Sequence, residues 1–197
     1  AYFAVCDFSK AYDKIDRHLL FRLCSTLKIP RFLCLWIRQI LSQTHARVYL
    51  NGSFSHKRRF DAGVRQGDPV SPYLYLLISH LLTRHLQHTA IYQSLPLTIT
   101  MHHHHQGIEK ATSPLKISTL QYADDNTVPL SLTQIERFID AMDIFAAGTG
   151  QHLNKNKTWL LPIGAPTGQP TAIKGLRVVP SATILGIELQ ANSGLAT

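Results

Sequence analysis

Residues Tyr122-Ala123-Asp124-Asp125 lie between two short apolar runs, Leu115, Ile117 and Leu120 before them and Val128 and Leu130 after. Apolar spacing on both sides of a polar turn predicts two short strands joined tightly, with both carboxylates at the turn. Adjacent carboxylates repel unless a cation sits between them. Hard divalent cations such as Mg²⁺ bind through one or two carboxylates plus substrate phosphates. The pair therefore points to phosphoryl or nucleotidyl transfer, with a solvated Asp-Asp turn as the plain alternative.

A third acid stands in a more constrained place. Ala1 to Phe8 is a nearly continuous apolar run interrupted by Asp7, which predicts a strand buried on both faces with a charge near its end. Such a charge is costly unless paired or metal-bound. A helical pattern follows on Ile15, Leu19, Leu20, Leu23 and Leu27, and Ile29-Pro30 ends it. Asp13 and Asp16 read as capping or surface acids. A second helix is expected over about 32–42. Then His45 to Leu50 alternates, Asn51-Gly52 supplies a tight turn, and Phe54 to Phe60 returns, a predicted hairpin. Its return strand carries Lys57-Arg58-Arg59, either a solvated edge or a contact for nucleic-acid phosphates.

Gly63 to Pro72 concentrates Gly, Pro and small polar residues and reads as a shaped loop entering a helix, with Ser71 as N-cap and Pro72 as first helical residue. The helix carries Leu74, Leu77, Ile78, Leu81 and Leu82 on one stripe. Arg65, Gln66 and Gly67 just ahead of its N-terminus suit phosphate or sugar groups. Gln87 to Ser113 is polar and His-rich, and the run His102 to His105 is read as part of a surface insertion rather than a zinc site, because no second ligand cluster is suitably spaced. A fourth helix is expected with a Thr133/Glu136 capping box, a buried stripe of Ile135, Phe138, Ile139, Met142 and Phe145, and a stop at Gly148. Beyond Gly150 to Thr158 come the apolar run Trp159-Leu160-Leu161, a loop from Gly164 to Lys174, and strand candidates at Leu176–Val179 and Thr183–Leu189. There is no internal repeat, so a single domain over 1–197 is expected.

The 197 residues are 45% hydrophobic, enough for one core, and carry a formal charge of +8, which favours a polyanionic partner. No apolar run approaches the roughly 18 residues of a membrane span, and no signal peptide is visible. Cys6, Cys24 and Cys34 lie in apolar surroundings without metal-ligand spacing and read as reduced thiols of an intracellular protein. Because Ala1 opens inside an apolar run, the chain is expected to be a piece of a longer one.

Five pieces, in order, resemble the reverse transcriptases. Asp7-Phe8-Ser9-Lys10-Ala11-Tyr12-Asp13 resembles the first palm motif, and Arg65-Gln66-Gly67-Asp68-Pro69-Val70-Ser71-Pro72 the second. Tyr122-Ala123-Asp124-Asp125 resembles the third, Gly150 to Thr158 with Asn154 and Lys157 the fourth, and Leu185-Gly186 the hairpin of the fifth. The spelling is most similar to the non-LTR retrotransposon enzymes, with group II intron proteins more distant.

The resemblance implies an α+β polymerase palm: an antiparallel sheet carrying the acids, helices on one face, and a partial fingers hairpin at about 45–60. It implies RNA-templated DNA synthesis from dNTPs on a DNA primer, within a mobile element's polyprotein. Asp7, Asp124 and Asp125, with the backbone of Phe8, would hold two Mg²⁺ (or Mn²⁺) ions. Lys10, Ala11, Tyr12, Arg65, Gln66, Gly67 and Tyr122 would bind substrate, with Tyr12 excluding a 2′-hydroxyl. Lys157 would protonate or neutralise the leaving pyrophosphate. Upstream fingers and a downstream thumb would lie outside this chain, which alone is expected to show little or no polymerase activity. An intracellular ribonucleoprotein, nuclear or cytoplasmic in a eukaryote, is implied. The rival expectations are a catalytically inactive nucleic-acid-binding remnant and an RNA-templated RNA polymerase.

Overall fold

The computed structural model describes residues 1–89, 91, 119–164 and 170–191, with the backbone alone of 97–98, 114–115 and 194–195. The His102–His105 run and Ile117 lie outside the described residues. The first half of the chain forms β1 (Tyr2–Cys6), α1 (Arg17–Thr26), α2 (Arg31–Ser42), four two-residue strands β2 (His45–Ala46), β3 (Tyr49–Leu50), β4 (Ser53–Phe54) and β5 (Arg58–Arg59), and α3 (Ser71–His88). Then come β6 (Leu97–Thr98), β7 (Pro114–Leu115), β8 (Leu120–Tyr122), β9 (Asp125–Leu130), α4 (Ile135–Thr149), β10 (Trp159–Pro162), β11 (Ala172–Ile173), β12 (Leu176–Val178), β13 (Ser181–Ile184), β14 (Ile187–Gln190) and β15 (Gly194–Leu195).

The main sheet has the order β11-β12-β10-β1-β9-β8. The apolar run at the N-terminus is thus a central strand, with Ala4 paired to Leu160 on one side and to Val128 on the other. Every pairing in it is antiparallel except β10 with β12, which is parallel. The expectation of two equally buried faces needs correction. Burial along β1 alternates, with Tyr2, Ala4 and Cys6 covered and Phe3 and Val5 half-covered. The covered face joins Ile78 and Leu82 of α3 and Phe138, Met142 and Phe145 of α4 in one core. Each such fully buried Leu, Ile or Phe contributes roughly 1.5–3 kcal/mol. Asp7 follows the period of Phe3 and Val5 and so falls on the open face. In β9, Pro129 is buried and lies past Thr127, the last β9 residue paired with β8 among the described residues.

Helix ends depart from expectation in several places. Val70, not Ser71, holds the N-cap of α3; Ser71 is buried inside the first turn, and Asp68 Oδ1 accepts from Val70 N at 2.9 Å. That helix runs on through Gln87 and His88, the first residues of the polar, His-rich stretch. The turn into α4 begins at Ser131, where Gln134 Oε1 accepts from Ser131 N at 2.8 Å, instead of at Thr133 with Glu136. Gly150, at φ 76°, ends α4 in the left-handed conformation that glycine favours, two residues after the predicted stop.

The hairpin around Asn51-Gly52 forms as expected, both residues having positive φ and Tyr49 pairing with Phe54. Its arms are not continuous. The Ser55 hydroxyl accepts from Val48 N at 2.8 Å in place of a backbone carbonyl, which divides β2 from β3 and β4 from β5. Leu185-Gly186 likewise turns β13 into β14, with Ile184 paired to Ile187.

Candidate active site

The β1–β9 register pairs Cys6 with Asn126. One step further along the same register sets Asp7 beside Asp125, at the end of the two central strands. The turn between β8 and β9 is made by Ala123, at φ 52°, and Asp124, and it closes with Tyr122 paired to Asp125. The side chain of Asn126 braces it, donating from Nδ2 to Asp124 O at 3.0 Å. Three acids from two separate parts of the sequence therefore converge at one end of the central strands. Burial, then Asp124, then Asp7 raise the Asp125 carboxyl above the ordinary carboxylate range. Among the described residues no group of three or more His, Cys, Asp or Glu side chains makes a ready-formed metal cage.

Asp7 is held by the segment after α4. Asn154 donates from Nδ2 to Asp7 Oδ2 at 3.0 Å, its backbone N–H donates to Asp7 O at 2.8 Å, and the Thr158 hydroxyl accepts from Asp7 N at 3.3 Å. Ser9 N adds a bond to His152 O at 2.9 Å, and Phe8 bridges Leu153. The chain then turns through Lys10, at φ 54°, whose carbonyl accepts from Asp13 N and Lys14 N. The buried Gln151 fixes that turn from beneath, donating from Nε2 to Ala11 O at 2.9 Å.

Tyr12 stands on the next step. Its ring stacks on Tyr75 of α3, with centroids 4.8 Å apart and an interplanar angle of 16°. Both phenols are raised above their ordinary value, by burial first and by Asp124 next. A pocket of about 500 Å³ opens here, lined by Tyr12, Gln66, Gly67, Asp68, Pro69, Ser71, Pro72 and Asp124. That volume suits a small-molecule ligand.

The predicted site residues divide accordingly. Asp124, Tyr12, Gln66 and Gly67 share the pocket, and Asp7 and Asp125 join Asp124 at the strand ends. Arg65, Lys10, Ala11, Tyr122 and Lys157 do not line the pocket. Tyr122 and Lys157 are exposed, and Lys155 is occupied by Asp143 at 3.6 Å. The sequence gives no part to Tyr75 or Asn126, and places Asp68 and Gln151 only as members of their motifs. Asn154 had been noted only as a member of its motif.

Comparison with known proteins bears on the family and the fold. Residues 1–189 match the family described as reverse transcriptase (RNA-dependent DNA polymerase). The chain belongs to the reverse transcriptase family. It is 23% identical over 158 residues to the transposon TX1 uncharacterized 149 kDa protein of Xenopus laevis, spanning 79% of this chain and 11% of that protein. Among solved structures it is similar to apo telomerase from Candida tropicalis truncated from its C-terminal domain, with a TM-score of 0.63 at 14% identity over 96% of this chain and 34% of that one. Telomerase from Candida albicans in complex with a TWJ fragment of telomeric RNA matches with a TM-score of 0.53 at 13% identity, over 97% of this chain and 29% of that one. The reverse transcriptase chain described here thus spans about a tenth of the transposon protein and about a third of the telomerases.

Proposed function

We propose that this reverse transcriptase chain is the catalytic palm of an RNA-directed DNA polymerase of a retrotransposon-like element. The observation that carries the reading is the convergence of Asp7, Asp124 and Asp125 beside a pocket lined by Tyr12, Gln66 and Gly67. In the reaction a primer 3′-hydroxyl attacks the α-phosphorus of a dNTP, a new P–O bond forms, and pyrophosphate leaves.

The residues fit a pair of hard divalent cations. All the available donors are oxygens; burial first, and then repulsion from Asp124 and Asp7, raises Asp125, and that repulsion is what a cation would relieve. Asp7, Asp124 and Asp125 with the Phe8 carbonyl would hold the ions, without the remaining ligands of a closed protein cage, as expected when substrate phosphates and water complete the shell. Bound Mg²⁺ or Mn²⁺ supplies activation of the 3′-hydroxyl and neutralisation of the triphosphate.

The protein's own part is placement. Asn154 and Thr158 fix Asp7, and Asn126 fixes the Asp124 turn. Tyr12, held flat on Tyr75, lies under the sugar and leaves no room for a 2′-hydroxyl. Gln66 and Gly67 orient the base and template, with Lys10, Ala11 and Arg65 beside the triphosphate and Tyr122 beside the primer. Lys157 donates a proton to the leaving pyrophosphate. The RNA template is drawn by a surface of net positive charge, in particular by Arg47, Lys57 and Arg58 around the exposed Tyr49 and Phe54.

The test is primer extension on an RNA template by the full polymerase polypeptide that carries these residues. Asp7→Asn is expected to lower kcat by ~10³-fold or more while primer-template affinity is kept. An Asp7→Asn protein extending the primer at the wild-type rate contradicts the reading.

A further inference from the structure

Arg17 opens α1 and does not line the pocket. Its guanidinium spends all five N–H donors on the two ends of the segment that leaves α2 and returns to the nucleotide loop. Nε donates to Gly63 O at 2.8 Å. Nη1 donates to Leu41 O at 2.7 Å and Phe60 O at 2.8 Å. Nη2 donates to the Thr44 hydroxyl at 2.9 Å and Ala62 O at 3.1 Å. Thr44, itself buried, also donates to Phe60 O at 2.8 Å.

This clamp sits where two strips of backbone touch. Gly63 N donates to Ile15 O at 2.9 Å and Val64 N to Tyr12 O at 2.8 Å. Gly63, at φ 74°, lies so close to the Asp13 backbone that a Cβ would overlap it. One strip continues backwards into Tyr12, the other forwards through Arg65 into Gln66 and Gly67. Tyr12, Gln66 and Gly67 all line the pocket.

We propose that Arg17 is a positioning residue of the nucleotide pocket: by tying 41–44 and 60–63 to the start of α1, it sets the separation between Tyr12 and the Gln66-Gly67 wall. The inference rests on the polymerase reading for the identity of the ligand, and on the hydrogen bonds alone for the clamp. A lysine cannot replace it, since an ammonium has three donors and no planar fork.

Two measurements test it. Amide hydrogen exchange, without nucleotide, reads the clamp independently of catalysis. In Arg17→Ala, exchange at Gly63 and Val64 speeds by about 10-fold or more relative to the core of β1. Steady-state incorporation by the full polymerase polypeptide reads the pocket. Arg17→Ala and Arg17→Lys raise KM for dNTP about 10-fold with kcat within about 3-fold, and narrow the preference for dNTP over rNTP. Thr44→Val, which removes one of the five acceptors, shifts KM the same way by about 2–3-fold and serves if the Arg17 variants do not fold. Wild-type exchange at Gly63 and Val64, in Arg17→Ala or in Thr44→Val, overturns the proposal whatever the activity. So do faster exchange and a lower Tm with unchanged KM and sugar preference in an active protein. A wild-type polypeptide that performs no templated synthesis counts against the polymerase reading, while the exchange data still decide the clamp.

Discussion

Asn154 grips Asp7 at two points, through the side-chain amide on Oδ2 at 3.0 Å and through the backbone N–H on the Asp7 carbonyl at 2.8 Å. The first bond fixes the carboxylate rotamer and the second fixes the strand end that carries it. Asn154→Ala removes only the first. We expect kcat to fall ~10–100-fold, the range seen when an outer partner of a metal-binding group is lost, with a small change in Tm. Asn154→Asp should cost more, because it adds a fourth negative charge to the cluster. Steady-state primer extension by the two variants checks the order; an Asn154→Asp protein more active than Asn154→Ala contradicts it.

The acid cluster makes a pH-dependent prediction. Asp125 is raised in the folded state by burial, Asp124 and Asp7, so folding costs more at pH values above its folded-state pKa and this cost fades as pH falls through it. Because Asp125 is largely exposed, the effect is small. In metal-free buffer at neutral pH, Asp125→Asn should raise Tm by about 1–2 °C, and the gain should vanish in acid. Mg²⁺ or Mn²⁺ should stabilise the wild type at neutral pH, less so in acid where protonated carboxyls do not ligate, and should not stabilise an Asp7→Asn, Asp124→Asn protein. Calorimetry with and without metal measures both effects. Equal metal-induced shifts in wild type and double variant would place the ion elsewhere.

The Asn51-Gly52 hairpin carries a prediction about nucleic acid. Arg59 is engaged by Asp61 at 2.7 Å, whereas Lys57 and Arg58 are exposed and form no salt bridge among the described residues. Tyr49 and Phe54 form an exposed cross-strand pair with centroids 4.8 Å apart. Lys57→Ala and Arg58→Ala should each weaken single-stranded RNA binding and flatten its logarithmic salt dependence by about 0.7. Tyr49→Ala should weaken binding by ~1–3 kcal/mol with the salt slope unchanged. Fluorescence anisotropy over a salt series separates the two; unchanged affinity in all three would remove the hairpin from the RNA path.

Much of this was legible from residues alone, for reasons that can be stated. The Asp124-Asp125 turn and the Asn51-Gly52 turn announce themselves because apolar spacing brackets residues that suit tight turns. Convergence of Asp7 with Asp125 came from family resemblance, since no local pattern tells which strands are neighbours. Ser131/Gln134 and Thr133/Glu136 are overlapping capping patterns two residues apart, and the end of β9 at Leu130 selects the earlier one. The parallel pairing of β10 with β12 was invisible, because two-residue ladders look alike in either direction. Arg17 was missed for a sharper reason: four of its five acceptors are backbone carbonyls, which leave no trace in side-chain identity.

The central claim is that Asp7, Asp124 and Asp125 form a metal-dependent centre for RNA-templated DNA synthesis. Its most direct test is dTTP incorporation on oligo(dT)-primed poly(rA) with Mg²⁺ by the full polymerase polypeptide, beside an Asp124→Asn, Asp125→Asn double variant. Metal-dependent incorporation by the wild type that the double variant lacks, with primer-template still bound by both, is the predicted result. Incorporation at equal rates by both proteins, or nucleic-acid binding without incorporation by either, contradicts it.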